Sequence, residues 1–572
     1  MVGRAGTRVA NVDDMDTTHD LPIALPSRRT LLRGGLATGT VALAGAGVVL
    51  DSRPSAAAVV PAASPFTLGV ASGDPEPDGF VLWTRLALDP LAADGLGGMP
   101  SATYQLNWQV ASDDRFADVV KAGSVAAERG WAHSVHVEVH GLRPGREYFY
   151  RFRLGRHVSP AGRAVTAPNP WETPSALAMA FVSCSNLPAG YFTAYGRLAE
   201  ERPDVILHLG DYQYEGGGNG VGRNHAGPET TTLAGYRQRY AQYKSDTDLQ
   251  AAHAAAPWLA VWDDHEVDNN YAGDIPEKVA ETPTFLQRRA AAYRAYYENM
   301  PLRRSSVPDG PNLDLYRRVR WGRLANFHML DTRQYRSDQA CGDGYKDCPA
   351  ADDPTRSLPG MEQEQWLLDG FRQSEARWDL LGQQVFFGRR DNDATARTTA
   401  SMDAWDGYRA SRRRVTQGWV DAGVRNPVVL TGDVHAHWAS DLYLDYDQPG
   451  DVVGSELITS SITSGGNGYD SPTGQHPWAA WNPNLRFWTN LRGYVSTTIT
   501  PSELTARFRC VPVVTTPGAE AFTRAEFVID DGVRGLRQTA DNPLPTTTLR
   551  RSTPSDEQIV ADTIRGETHG SA

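Results

Sequence analysis

Five short apolar runs in this chain each stop at a side chain that binds metals or offers an amide. "LAMAFVSC" stops at Cys184, and "DVILHLGD" at Asp211 with Tyr214 just beyond. "PWLAVWDDHE" stops at Asp263, Asp264 and His265, "RWDLLGQQ" at Gln383 and Gln384, and "NPVVLTGDVHAH" at Asp433, His435 and His437. Continuous apolar runs of this length fit strands buried on both faces, as a parallel sheet requires. Open α/β sheets gather ligands outside the carboxyl ends of their strands. Groups scattered from Cys184 to His437 can therefore meet in one place. A lone Gly-Asp is more often a turn and a lone buried cysteine more often packing. Five such groups in register with five strands point to a metal site. His208, inside its run, reads as core.

From residue 176 to 533 these runs alternate with helical stretches such as "FLQRRAAAYRAYYENM", an α/β pattern with an antiparallel pair around "LDLYRRVRWGRLANFHMLDTRQY". Residues 66–166 differ: "FVLWTRLAL", "TYQLNWQVA" and "REYFYRFRLG" alternate between turn signals and predict a small all-β sandwich of fibronectin III type. "AVTAPNPWETPS" reads as the linker. Residues 534–572 are polar without an apolar period and read as a mobile tail.

Residues 1–58 read as a Tat-type signal peptide. Arg28 and Arg29 precede a weakly apolar stretch from Gly34 to Leu50, and Ala56-x-Ala58 fits a cleavage site. The stretch is too short and too rich in Gly and Ala for a transmembrane anchor. The long acidic segment before Pro26 leaves Met15 open as the start. The expectation is a protein exported by the Tat machinery, secreted or cell-wall associated, with no transmembrane anchor in mature form. In an oxidising compartment Cys341 and Cys348 bracket a loop short enough for a local disulfide, leaving Cys184 and Cys510 unpaired. The formal charge of −12 argues against nucleic acid as a bulk electrostatic partner and leaves small anionic substrates open.

The order GDxxY, then Asp-His-Glu, then GDxH resembles that of calcineurin-like metallophosphoesterases. The spellings "SCSNLPAGYFTAY", "LHLGDYQYE", "WDDHEVDNNYAG", "LDTRQYRSDQAC" and "LTGDVHAHWASDL" are more specific. They resemble the alkaline phosphatase D (PhoD-like) family across residues 66 to 510. The resemblance implies a metallophosphoesterase β-sandwich core flanked by helices behind the small all-β domain, and a secreted phosphomonoesterase and phosphodiesterase acting on small phosphoesters. It implies Fe³⁺ held by Cys184, Asp211, Tyr214 and His435; thiolate, phenolate and carboxylate also favour a ferric ion on chemical grounds. Asp211, Asp264 and Asp433 form an oxygen-donor set, with a Gln383 or Gln384 amide near, that suits one or two Ca²⁺, or Mg²⁺ or Mn²⁺ instead. Asp268 and Asn269 are candidates for a further Ca²⁺.

The nucleophile implied is a metal-bound hydroxide or oxide. His265 is the candidate to contact the phosphoryl group and aid the leaving oxygen, its alternative being a hydrogen bond behind a metal carboxylate. Arg333 is the candidate phosphate contact, its alternative being a pair with an acidic loop. The resemblance also puts Asp403, Trp405, Asp406 and Tyr408 near the site. Two other readings stand: a phospholipase D-type enzyme on phospholipid head groups, with "HPWAAWNPNLRFWTNLRGY" as an apolar rim, and a binding module with metals as staples.

Overall fold

The computed structural model describes residues 60–395, 397–545 and 554–568. The proposed signal segment, residues 1–58, lies outside them. Two large sheets of ten and seven strands face each other. Their inward side chains, among them Phe181, Leu207, Phe327, Leu380 and Leu430, share one buried cluster.

In the ten-stranded sheet Leu177–Val182, Val205–Leu209 and Pro257–Val261 run parallel as neighbours. In the seven-stranded sheet Ala325–Met329, Trp378–Gly382 and Pro427–Thr431 do the same. "VILHL", "PWLAV", "WDLLG" and "PVVLT" are buried at every position, which is why they read as unbroken apolar runs. A parallel bridge between Ser183 and Ser461 joins the two layers where the first of these strands ends. The expected antiparallel pair is Arg317–Trp321 with Ala325–Met329. Helices such as Leu233–Lys244, Thr282–Asn299 and Arg409–Asp421 flank the sandwich.

The N-terminal sandwich is present, and its strands do double duty. Tyr104–Ala111, Glu147–Leu154 and their neighbours form a five-stranded sheet. It packs on Val70–Glu76, Gly79–Arg85 and Ser134–Val139 through a cluster that includes Phe80, Leu82, Val110 and Tyr150. Those three strands also continue the ten-stranded sheet, with Ser72 paired in parallel to Pro257.

The C-terminal segment differs from the expected mobile tail. Arg537–Asp541 pairs antiparallel with Phe522–Asp530 at the sheet edge, and Asp556–Thr568 is a helix. Ile559 is buried in a cluster with Trp478 and Trp488, and Val560 and Ile564 pack against it. Three aliphatic residues within six positions gave the helix an apolar side that a polar average conceals. Among the described residues no helix is long and apolar enough to cross a membrane.

Candidate metal centre

The parallel strands of both sheets deliver their ends to one rim. Cys184, Asp211 and His435 bring one ligand atom each within 4.8 Å of one another, as do Asp211, Asp264 and His265. Asp211 belongs to both sets. The Tyr214 hydroxyl donates to Asp211 Oδ2 at 2.8 Å, lies 3.1 Å from His435 Nε2 and accepts from Ser464 Oγ at 2.7 Å. Asp433 belongs to neither compact set; it is half-buried beside them and shares the field of Asp263, Asp264, Asp403 and Arg333.

The backbone at these ends is bent into a costly shape. Cys184, Asp211, Asp433 and His435 all have left-handed φ values, of 62°, 56°, 62° and 52°. Each such residue costs about 1–3 kcal/mol, and such strain collects where function fixes geometry. Buried partners hold the bends. Glu266 accepts the backbone N–H groups of Asp211 at 3.1 Å, Tyr212 at 2.6 Å and Asp263 at 2.9 Å, tying two strand ends to one carboxylate. Cys184 N–H donates to Gly210 O, Ser464 Oγ lies 2.9 Å from Cys184 O, and Arg492 donates to His435 O.

Negative charge is crowded here. Burial, then the Asp211 charge, pushes up both the Cys184 thiol and the Tyr214 hydroxyl. Burial, with Asp264 and Asp263, pushes Asp211 up against the pull of His265. Burial and the Asp263 and Asp403 carboxylates push Asp433 up. These groups cannot all ionise together without added positive charge, which a cation supplies. Asp211 Oδ1, Asp264 Oδ1 and His435 Nδ1 are buried without a hydrogen-bond partner. Buried polar atoms are rarely left so. Thiol, phenol, imidazole and carboxylate atoms converging with open valences fit transition-metal and hard-cation binding.

His265 donates from Nδ1 to Glu215 Oε2 at 2.7 Å and packs on the Tyr214 ring, centroids 4.1 Å apart. Burial opposes its charge, but Glu215, Asp264 and Asp211 raise its pKa well above the ordinary value. His265, Tyr214 and the Gly216–Gly220 loop line a cavity of about 660 Å³. A second cavity of about 500 Å³ lies beside His435, between Arg492 and the helix Asp556–Thr568.

Several expected roles go elsewhere. Arg333 is fully buried; it donates to Asp263 Oδ1 at 2.5 Å and forks onto Asp403 at 2.9 and 2.8 Å. The geometry is that of an arginine paired to acids. Gln384 is used up by Thr332 and Leu330, and Gln383 by Val385, Thr431 and Trp405. Neither amide is left for a metal. Asp268 pairs with Arg288 at 3.1 Å, and Asn269 donates to Glu215 and Glu277. Asp268 also lies with Glu229 and Glu281 in a set whose donor atoms fall within 4.8 Å of one another, and Arg288 pairs with all three. His437 accepts from Ser460 N–H and, like His208, is buried behind the site. Trp478 and Trp488 are core and Trp481 is half-buried, so two of the three tryptophans of the alternative apolar rim lie inside the protein.

Glu266, Glu215, Ser464, Asn270 and Arg492 were not singled out by sequence. Glu266 stands in the "DDHE" motif beside its donor Asp263, but its other two donors, Asp211 and Tyr212, lie 55 and 54 positions away. Nothing local marks Ser464 or Arg492.

Fold and donor set together define the class: a metal-dependent hydrolase of phosphoric esters. Residues 179–508 match the family described as PhoD-like phosphatase, and residues 52–168 its N-terminal domain. The chain belongs to the PhoD-like phosphatase family. It is 47% identical over 508 residues to alkaline phosphatase D of Bacillus subtilis (strain 168), covering 87% of this chain and 85% of that one. A solved structure titled "Structure of PhoD" superposes with a TM-score of 0.83 at 46% identity, covering 89% of this chain and 98% of the other.

Proposed function

We propose that this protein is an exported alkaline phosphatase of D type that cleaves phosphomonoesters and phosphodiesters at a centre of two unlike metals. Cys184, Asp211, Tyr214 and His435 would hold Fe³⁺. Asp211, Asp264 and Asp433 would hold Ca²⁺, or Mg²⁺ or Mn²⁺. The single observation carrying this reading is the meeting of Cys184, Asp211 and His435 donor atoms within 4.8 Å, with the Tyr214 hydroxyl between Asp211 and His435.

Bound ions there supply Lewis acidity toward phosphoryl oxygens and lower the pKa of coordinated water. The protein's own groups do the rest. His265, hydrogen-bonded to Glu215 and lining the larger cavity, would give a proton to the leaving oxygen. Glu215 keeps that ring in place. Arg333 acts through others: it neutralises Asp263 and Asp403 behind Asp264, and so is a positioning residue rather than a phosphate contact. The Cys341–Cys348 disulfide supports export to an oxidising compartment.

The test is hydrolysis of 4-nitrophenyl phosphate and bis(4-nitrophenyl) phosphate by the wild type, Cys184→Ser and Asp264→Asn. Both variants should lose most activity, Cys184→Ser with loss of iron and Asp264→Asn with loss of the divalent ion. Full activity in a protein freed of both ions would contradict the reading.

A further inference from the structure

The loop closed by Cys341 and Cys348 reaches the oxygen-donor side of the centre by two routes. The first runs through Asn270. Its backbone N–H donates to Asp264 Oδ2 at 2.7 Å, its Nδ2 donates to Asp343 Oδ2 at 2.8 Å, and its carbonyl accepts from Gln339 Nε2 at 2.8 Å. Asn270 is itself left-handed, with φ of 48°, and so depends on these contacts to stay in place. The second route runs through Asp403. Tyr345–Lys346 pairs with Ala400–Ser401, and Met402 N–H donates to Gly344 O at 3.0 Å. Asp403 follows directly and carries the fork of Arg333.

We propose that this disulfide loop is a positioning element for Asp264, acting from Asp343 through Asn270. The inference rests on the reading of Asp264 as a metal ligand. Asp343 stands between Gly342 and Gly344, both left-handed at φ of 78° and 91°. Two such glycines leave an open chain free to sample many shapes. The cross-link, with Lys346 Nζ donating to Cys341 O at 2.8 Å, confines Asp343 to the one that meets Asn270. A sequence separation of 7 closes a short loop, which constrains the unfolded chain less than a long one would. Its effect should therefore be local. Hydrogen bonds behind a metal ligand commonly change metal affinity by roughly 10- to 100-fold.

The experiment is Mn²⁺ binding to the chelator-treated full chain, read from the free-ion electron paramagnetic resonance signal, with thermal melting in parallel. Cys341→Ser/Cys348→Ser and Asp343→Ala should bind Mn²⁺ roughly 10-fold more weakly than wild type. Asp343→Asn keeps an oxygen for Asn270 Nδ2 and should stay within about twofold, and Asp347→Asn, in the same loop but outside the chain of contacts, should match wild type. Should the double serine variant fail to fold, Asp343→Ala carries the test alone. Wild-type affinity in Asp343→Ala, or an equal loss in Asp343→Asn, would overturn the proposal. A wild type that takes up no Mn²⁺ would overturn the Asp264 reading, and this inference with it.

Discussion

The two halves of the centre are held by different forces. Around Cys184, Tyr214 and His435 the supports include no acid–base ion pair: the Ser464 hydroxyl, backbone carbonyls, and one guanidinium, that of Arg492, whose partners Gly466 O, His435 O, Ser461 and Asn490 are all uncharged. Arg492 is buried and makes no ion pair among the described residues. Around Asp264 and Asp433 the supports are charged: Arg333 and Arg336 against Asp263 and Asp403. The first half is set by packing and hydrogen bonds, the second by a buried charge balance. The lone Arg492 charge in the first half favours loss of the thiol and phenol protons once a cation arrives. A paired frame keeps surplus carboxylates from repelling each other apart.

The largest expected break is at the residue the halves share. Asp211→Asn should cut kcat/KM on 4-nitrophenyl phosphate on the order of 1,000-fold and release both ions, checked by elemental analysis. Next comes the charged half. Arg333→Met leaves Asp263 and Asp403 buried without their shared partner and should cost roughly 3–5 kcal/mol of stability. Thermal melting would report it, and adding Asp403→Asn should restore part of the loss.

That second prediction marks where the sequence stopped speaking. "LDTRQYR" announced an arginine at a strand end, but its partners Asp263 and Asp403 each lie 70 positions away. The strand-end donors that meet at one rim were legible because each motif is local: an apolar run, then a donor. The joint use of N-terminal strands by two sheets was not, since Ser72 and Pro257 meet only through long-range pairing. Gln384 looked like a ligand because it ends a buried strand; Thr332 and Leu330 claim its amide instead. The C-terminal helix was hidden by its polar average, although Ile559, Val560 and Ile564 were there to be read.

Smaller effects sharpen the comparison. His265→Asn should slow an alkyl phosphate roughly 100-fold and an aryl phosphate much less, because a phenolate leaves without a proton. Equal losses on both substrates would assign His265 to holding Asp264 or Glu215 instead. Glu215→Gln keeps an acceptor for His265 Nδ1 but removes its charge, and should cost less than about 10-fold in kcat. Both follow from steady-state rates on a matched substrate pair.

The most direct measurement is the visible absorption spectrum of the purified mature protein with elemental analysis of the same sample. A broad visible band with one iron and at least one calcium per chain is the predicted result, and the band should vanish in Cys184→Ser or Tyr214→Phe. A colourless protein holding zinc or manganese and no iron would contradict the account of two unlike halves, and would leave Asp211, Asp264, Asp433 and His435 to form the centre without Cys184.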